Sequence, residues 1–163
     1  MSEVSTAVEL SGLKAFLAPA LPVDAKTIFN NWPKEPVAKT LVVRSMPDER
    51  RTIATGMIQT IRQYQVLYVD TRIDVVKAVT DAMKSKLAEF PDIPLDPGSL
   101  LVGRIDAVTG GQPFKTEQSV PLDGDFFTLR MTTYTAQSRE SYETISGVSF
   151  GNAIDIGGGA ANV

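Results

Sequence analysis

One amphipathic pattern near the middle of the chain constrains the fold more than any other feature. Apolar residues recur there at spacings of three and four, at Ile73, Val76, Val79, Met83, Leu87 and Phe90. This spacing predicts a helix over 71–90 that buries one face. Thr71 is placed to cap its first turn, with Asp74 three residues later, and Pro91 stops it. The helix needs a partner surface that covers its apolar face.

Segments with strand character lie on both sides of this helix. The clearest is 58–69, where β-branched and aromatic residues alternate with period two. The predicted strands are 26–31, 39–46, 58–69, 100–108 and 126–135. Because strand follows strand on each side of the helix, the order predicts an α+β fold. We expect a mostly antiparallel sheet with helices packed on one face.

The remaining segments complete this outline. A leading helix is predicted over about 2–18. Residues 47–51 are predicted to form a polar turn, and 109–125 a hairpin loop longer than the usual two to five residues. The last residues are rich in glycine and hold too little apolar material to build a core. We therefore predict one α+β domain over 1–143 and an extended C-terminal arm over 144–163.

The predicted sheet carries more large apolar side chains than we expect one covered face to bury. Its second face is not uniformly polar, and a contact with another subunit is one way to bury some of these residues. The side chains in question are Val42, Tyr64, Tyr68, Phe126 and Tyr134.

The chain has 0 His and 0 Cys. This excludes Ser–His and Cys–His catalytic pairs, His or Cys metal ligands and disulfides. Acid–base chemistry would have to use carboxylates, and close pairs are present at 48/49, 70/74, 92/96 and 123/125. Each pair lies in a predicted turn or at a helix start, where turn formation and capping explain it. We expect no metal and no cofactor, and we do not expect an enzyme.

The charge balance is mildly acidic. Sixteen Lys and Arg residues stand against nineteen Asp and Glu residues, for a net charge of −3. A dedicated nucleic-acid binder usually has a basic excess, so we expect at most transient contact with DNA. The first residues lack the basic and apolar segments of a signal peptide, and no apolar run is long enough to cross a membrane. We therefore expect no membrane partner.

The order of these segments resembles the tail terminator proteins of long-tailed bacteriophages. The resemblance covers about residues 4–137 and is carried by a pattern of elements, whereas the glycine-rich arm has no counterpart in it. The resembling segments are the leading helix 4–18, the stretch from Ala25 to Pro33, the strand 40–44, the strand 64–70 followed by the helix 75–90, and the closing strands 99–108 and 125–135.

The resemblance implies a structural virion protein. It implies a homo-oligomeric ring of six subunits that caps the tail tube, ends tube elongation and provides the joint to the head connector. The implied partners are further copies of the chain, the tail tube protein and the connector or neck protein, with DNA passing through the lumen. The implied location is the virion tail near the neck, after assembly in the host cytoplasm. A head–tail joining protein of the same virion remains an alternative, as does a small carboxylate-dependent enzyme or binding module.

The candidate interface residues fall into two groups. Phe114 and Lys115 lie in the predicted long loop, and Trp32 precedes Pro33, where it either anchors an interface or caps the core. In the arm, apolar anchors recur at short intervals within glycine-rich backbone, a composition suited to adding a strand to a neighbour's sheet. These anchors are Ile145, Val148, Phe150, Ile154 and Ile156.

Overall fold

Two α-helices and seven strands make up the part of the chain that the computed structural model describes, residues 4–96 and 100–136. The helices are α1 (Thr6–Leu17) and α2 (Ile73–Glu89), and a 3₁₀ turn at Ala18–Ala20 follows α1. The strands are β1 (Lys26–Phe29), β2 (Thr40–Ser45), β3 (Glu49–Ala54), β4 (Met57–Asp70), β5 (Asp92–Pro94), β6 (Val102–Lys115) and β7 (Asp123–Ala136). The expected α+β class is confirmed. Neither helix in these ranges is long and apolar enough to cross a membrane.

All seven strands belong to one sheet, in the order β1-β2-β4-β7-β6-β5, with β3 beside β4. The β1–β2 pair is parallel and the other pairs are antiparallel, as expected from strands that follow one another along the chain. The longest pairing joins β4 to β7, from Met57 opposite Ala136 to Asp70 opposite Asp123. These two strands form the central pair of the sheet, and their side chains contribute to both of its faces.

The helices cover one face of this central pair. Tyr64, Val66 and Tyr68 alternate along β4 and are fully buried there, in one core with residues of both helices such as Leu13 and Met83. The placement of Tyr64 and Tyr68 on an uncovered face was therefore wrong, because the helices bury both rings. Val42, Phe126 and Tyr134 belong to the second face, since they pair in register with β4 residues of the opposite alternation.

Two local predictions are corrected by the backbone. Residues predicted as a polar turn at 47–51 continue into β3, which is exposed along its whole length and so lacks an alternating pattern. β6 extends to Lys115 and β7 begins at Asp123, so their connection spans 116–122 rather than 109–125. The strand passes through Gly110 and Gly111, whose φ of 104° and 128° accompany a register shift against β7.

The start of α2 also differs from the prediction. Its N-cap is Arg72, in an extended conformation and with no capping side chain, so Thr71 does not cap the helix. Instead the Thr71 amide donates a hydrogen bond of 2.7 Å to Oδ1 of Asp70. The Arg72 guanidinium forms an ion pair with Asp74 and donates hydrogen bonds to its carboxylate, and these hydrogen bonds lower the pKa of the Asp74 carboxyl. The acidic group in the first turn suits the helix dipole.

A buried polar cluster fastens α1 to the sheet. Glu9 and Arg62 are 1% and 4% exposed, and Nη1 of Arg62 lies 2.9 Å from Oε1 of Glu9. The Glu9 carboxylate also accepts hydrogen bonds from the hydroxyls of Tyr64 and Thr133. Each polar group in this cluster thus has a partner, which is the condition under which such groups are tolerated in a core.

This burial predicts unusual ionisation of two tyrosines. Burial, reinforced by the carboxylate of Glu9 for Tyr64 and that of Asp70 for Tyr68, raises the pKa of both phenols well above the ordinary value. Their contribution to stability is therefore complete below about pH 10 and is lost as the pH rises further, where the unfolded chain ionises first. We expect at least two of the four tyrosines to give no tyrosinate absorbance at about pH 11 until denaturant is added.

The Tyr64→Phe variant is the control for this titration, because it should remove one protected tyrosine. Ionisation of all four tyrosines near pH 10 in the folded protein would contradict the predicted protection.

Candidate interface on the second face of the sheet

The second face of the sheet is apolar at one end and polar toward its middle. Val42, Leu67 and Phe126 lie opposite one another on β2, β4 and β7, and their side chains emerge away from the helices. Val42 is fully buried and Leu67 is 8% exposed, although both lie on the face opposite to α1 and α2. One step along the sheet, Arg44 and Gln65 continue the same face with polar side chains.

Aromatic rings cover the apolar end. The ring of Phe114 lies 6.0 Å from that of Trp32, edge to face at 65°, and 6.3 Å from that of Phe126. Phe114 fits there because its register partner is Gly124: a Cβ on Gly124 would overlap the Phe114 ring. The missing side chain on β7 thus makes room for the ring from β6.

An open groove of about 560 Å³ lies beside these rings, a size typical of ligand sites. Its charged lining consists of three cations, Lys34, Arg44 and Lys115, and one carboxylate, Glu117. Lys115 has a long contact of 3.8 Å with Asp123, and in the described part of the chain Lys34 and Arg44 form no ion pair. The groove, which we call the cationic groove, is therefore positive on a protein that is acidic as a whole.

The structure brings together Trp32, Phe114 and Lys115, which the sequence suggested separately as interface residues. Phe114 and Lys115 belong to strand β6, not to a loop. The arm residues Ile145, Val148, Phe150, Ile154 and Ile156 lie outside the described ranges. Sequence reasoning missed Lys34 and Arg44 as members of the same site. The signal available in the sequence for Arg44 was a single charge directly after the apolar run Leu41-Val42-Val43.

The carboxylates considered for catalysis have structural partners. Oδ2 of Asp70 accepts a hydrogen bond from the Tyr68 hydroxyl, and Oδ2 of Asp125 accepts one of 2.9 Å from Thr80. Within 4–96 and 100–136, no group of three or more acidic residues is placed to hold a metal ion. Asp70 accepts a hydrogen bond from the Thr71 amide just before α2, as expected of a turn or capping residue, whereas Asp123 and Asp125 belong to strand β7 and not to the predicted turn.

Adding a methyl group at Gly124 is expected to displace Phe114 from the second face. In Gly124→Ala the ring swings outward and leaves Trp32, so we expect a red shift of tryptophan emission and a loss of about 1–3 kcal/mol in the free energy of unfolding. The chain has a single tryptophan, so its emission reports on this site alone. Fluorescence spectra and urea titrations measure both effects.

Gly56→Ala is the matched control for this substitution. Gly56 has a φ of 84°, and a Cβ added there would meet nothing within 4 Å, so the variant strains a turn without touching Trp32. It should destabilise the chain and leave the emission unchanged. Unchanged emission in Gly124→Ala would show that Phe114 does not hold the indole.

Comparisons with known proteins show a likeness of fold. No protein-family model matches the sequence, and no curated protein matches it. A chain from the cryo-EM structure of the PVC sheath/tube terminator, part of an extracellular contractile injection system in its extended state, aligns with 91% of this chain at a TM-score of 0.53 and 11% identity. The aligned region spans 63% of that chain's length. A chain from the virion of a native gene transfer agent particle aligns with 80% of this chain and 100% of its own length, at a TM-score of 0.48 and 18% identity.

Proposed function

We propose that the protein is a structural subunit of a phage-tail-like particle, in which it forms a ring that caps the tail tube. The ring ends tube elongation and provides the joint to the head connector. One observation carries this proposal: the fold over 91% of the chain is shared with a sheath/tube terminator structure. The order of elements along the sequence supports the same role independently of that likeness.

The surface of the subunit suits head-to-tail association. A ring contact of this kind joins two different surfaces of the same chain, and it closes when the rotation between copies is right. Among the strands that the structure describes, β3 pairs with β4 alone, and all six of its residues are exposed. The cationic groove lies near the other end of β4, beside Gln65 and Leu67. Separate surfaces of this kind allow one subunit to contact two different neighbours in a six-membered ring.

The proposed partners follow from this position in the particle. The ring stacks on the last layer of tube protein on one side and meets the connector on the other, and DNA passes through its lumen. The protein needs no catalytic group for this work, since it acts through shape and subunit contacts. We place it in the virion tail near the neck, assembled in the host cytoplasm.

Native mass spectrometry and negative-stain electron microscopy of the full chain test the proposal. We expect a closed ring, with six subunits, and binding of that ring to tubes assembled from the tube protein of the same particle. A chain that stays monomeric at about 100 µM and does not bind tubes would contradict it. Binding to the connector alone would reassign the protein to the head–tail joint.

A further inference from the structure

The cationic groove has the chemistry of a site for a short acidic and apolar segment. Lys34 and Arg44 form no ion pair with a carboxylate of the described residues. The rings of Trp32 and Phe114 form an aromatic wall beside them. A suitable occupant carries a carboxylate next to apolar side chains, because the charge would pair with the cations while the apolar groups cover the rings.

Nucleic acid fits the groove less well than a peptide does. Glu117 lines the same groove and would repel a phosphate backbone. The rings of Trp32 and Phe114 meet edge to face, so they do not offer the parallel open faces on which bases stack. The net charge of −3 also opposes a strand of phosphates. A protein segment is the occupant that these features favour.

The C-terminal arm contains such a segment. Between residues 144 and 163 the one charged side chain is Asp155, and it is flanked by Ile154 and Ile156. Its single carboxylate and paired isoleucines match the cations and the aromatic wall of the groove. The described residues offer other carboxylates, but those of Asp70, Asp74 and Asp125 are already paired or hydrogen bonded within the fold.

The direction of β7 favours the groove of a neighbouring copy. The described chain ends at Ala136, opposite Met57, whereas the groove adjoins Gln65 and Leu67 about 30 Å farther along β4. β7 runs away from its own groove, so the arm would have to reverse to reach it. The 18 residues between Ala136 and Asp155 span up to about 60 Å when extended, which exceeds the diameter of a domain of this size, so the arm can extend beyond its own subunit.

We propose that the cationic groove of one subunit binds the segment Ile154-Asp155-Ile156 from the arm of the next subunit. This rests on the proposed function, since it requires a neighbouring copy in a ring. Asp155 pairs with Lys34 and Arg44, and the two isoleucines pack against Trp32 and Phe114. Each subunit then gives its arm to one neighbour and receives the arm of another, so the contact closes with the ring.

Cysteine cross-linking of the full chain tests this arrangement, because the natural sequence has 0 Cys and gives no background. The pair Glu117→Cys and Ala153→Cys places thiols at the groove and beside the bound segment without removing any proposed contact. Treatment with a short bis-maleimide should give a ladder of covalent oligomers on a denaturing gel. The matched pair Lys77→Cys and Ala153→Cys should give none, since Lys77 is exposed on α2, across the sheet from the groove.

The outcomes separate this proposal from that of the ring. Rings seen by native mass spectrometry without a ladder, or with equal ladders from both pairs, would overturn arm docking and leave the ring standing. A cross-linked monomer would overturn docking between copies.

Adding Asp155→Asn to the first pair should lower the yield of the ladder twofold to fivefold, as for an exposed ion pair of about 1 kcal/mol or less. An unchanged yield would remove the role of Asp155.

Discussion

Replacing Arg62 with methionine is expected to lower the free energy of unfolding by about 3–5 kcal/mol. The substitution leaves the Glu9 carboxylate buried, at 1% exposure, without the guanidinium that neutralises it. It also removes a hydrogen bond of 3.1 Å from Nη1 of Arg62 to the carbonyl of Val4, just before α1. Because Tyr64 and Thr133 would still donate to Glu9, the carboxylate stays in place as an uncompensated charge.

Urea titrations of Arg62→Met and of a surface control measure this loss. Arg51→Met is the control, since Arg51 pairs with Glu49 on exposed β3 and should change stability by about 1 kcal/mol or less. Adding Glu9→Gln to Arg62→Met removes both charges and keeps an oxygen that accepts from the Tyr64 and Thr133 hydroxyls, so it should recover part of the lost stability. A loss below about 1 kcal/mol in Arg62→Met would mean that water or a rearranged neighbour compensates Glu9.

The elements with one buried and one open face could be predicted from the sequence. The apolar stripe of α2 and the apolar alternation of β4 each indicate which side chains face the core. The structure has both elements within a few residues of the predicted bounds. The helix–strand order then limited the sheet to a mostly antiparallel arrangement. Local patterns of this kind are reliable because burial of apolar surface dominates the energetics of folding.

The elements that the sequence did not predict have no such pattern of apolar residues. β3 is exposed on both faces, so its charged sequence reads as a turn. The run through Gly110 and Gly111 reads as a loop because glycine marks both loops and bulges. The cationic groove depends on Trp32 and Phe114, which are distant in sequence. Their rings meet only when β6 pairs with β7 and the Phe114 ring lies over Gly124. No short-range pattern contains that contact.

Ending the chain after Glu143 is expected to abolish ring formation and leave the described fold intact. Every described helix and strand ends by Ala136, so the truncation removes none of them. It does remove Ile154 and Ile156, the two apolar side chains that we propose to pack in the groove of the neighbouring subunit. Burying one large apolar side chain contributes about 1.5–3 kcal/mol, so association should weaken by at least about 100-fold. Sedimentation velocity measures the association and circular dichroism checks the fold.

A charge exchange distinguishes arm docking from a general effect of shortening the chain. Arg44→Glu alone places a second carboxylate in the groove and should weaken assembly of the full chain, because it faces Asp155 with like charge. Combining Arg44→Glu with Asp155→Arg restores the opposite signs, so assembly should recover in the double variant while Asp155→Arg alone stays impaired. The interaction should also weaken as salt is raised, since the pair lies in an open groove. If the truncated chain still forms rings, the arm is not an assembly element and the contact between subunits must lie within the domain, where the exposed edge of β3 is the next surface to test.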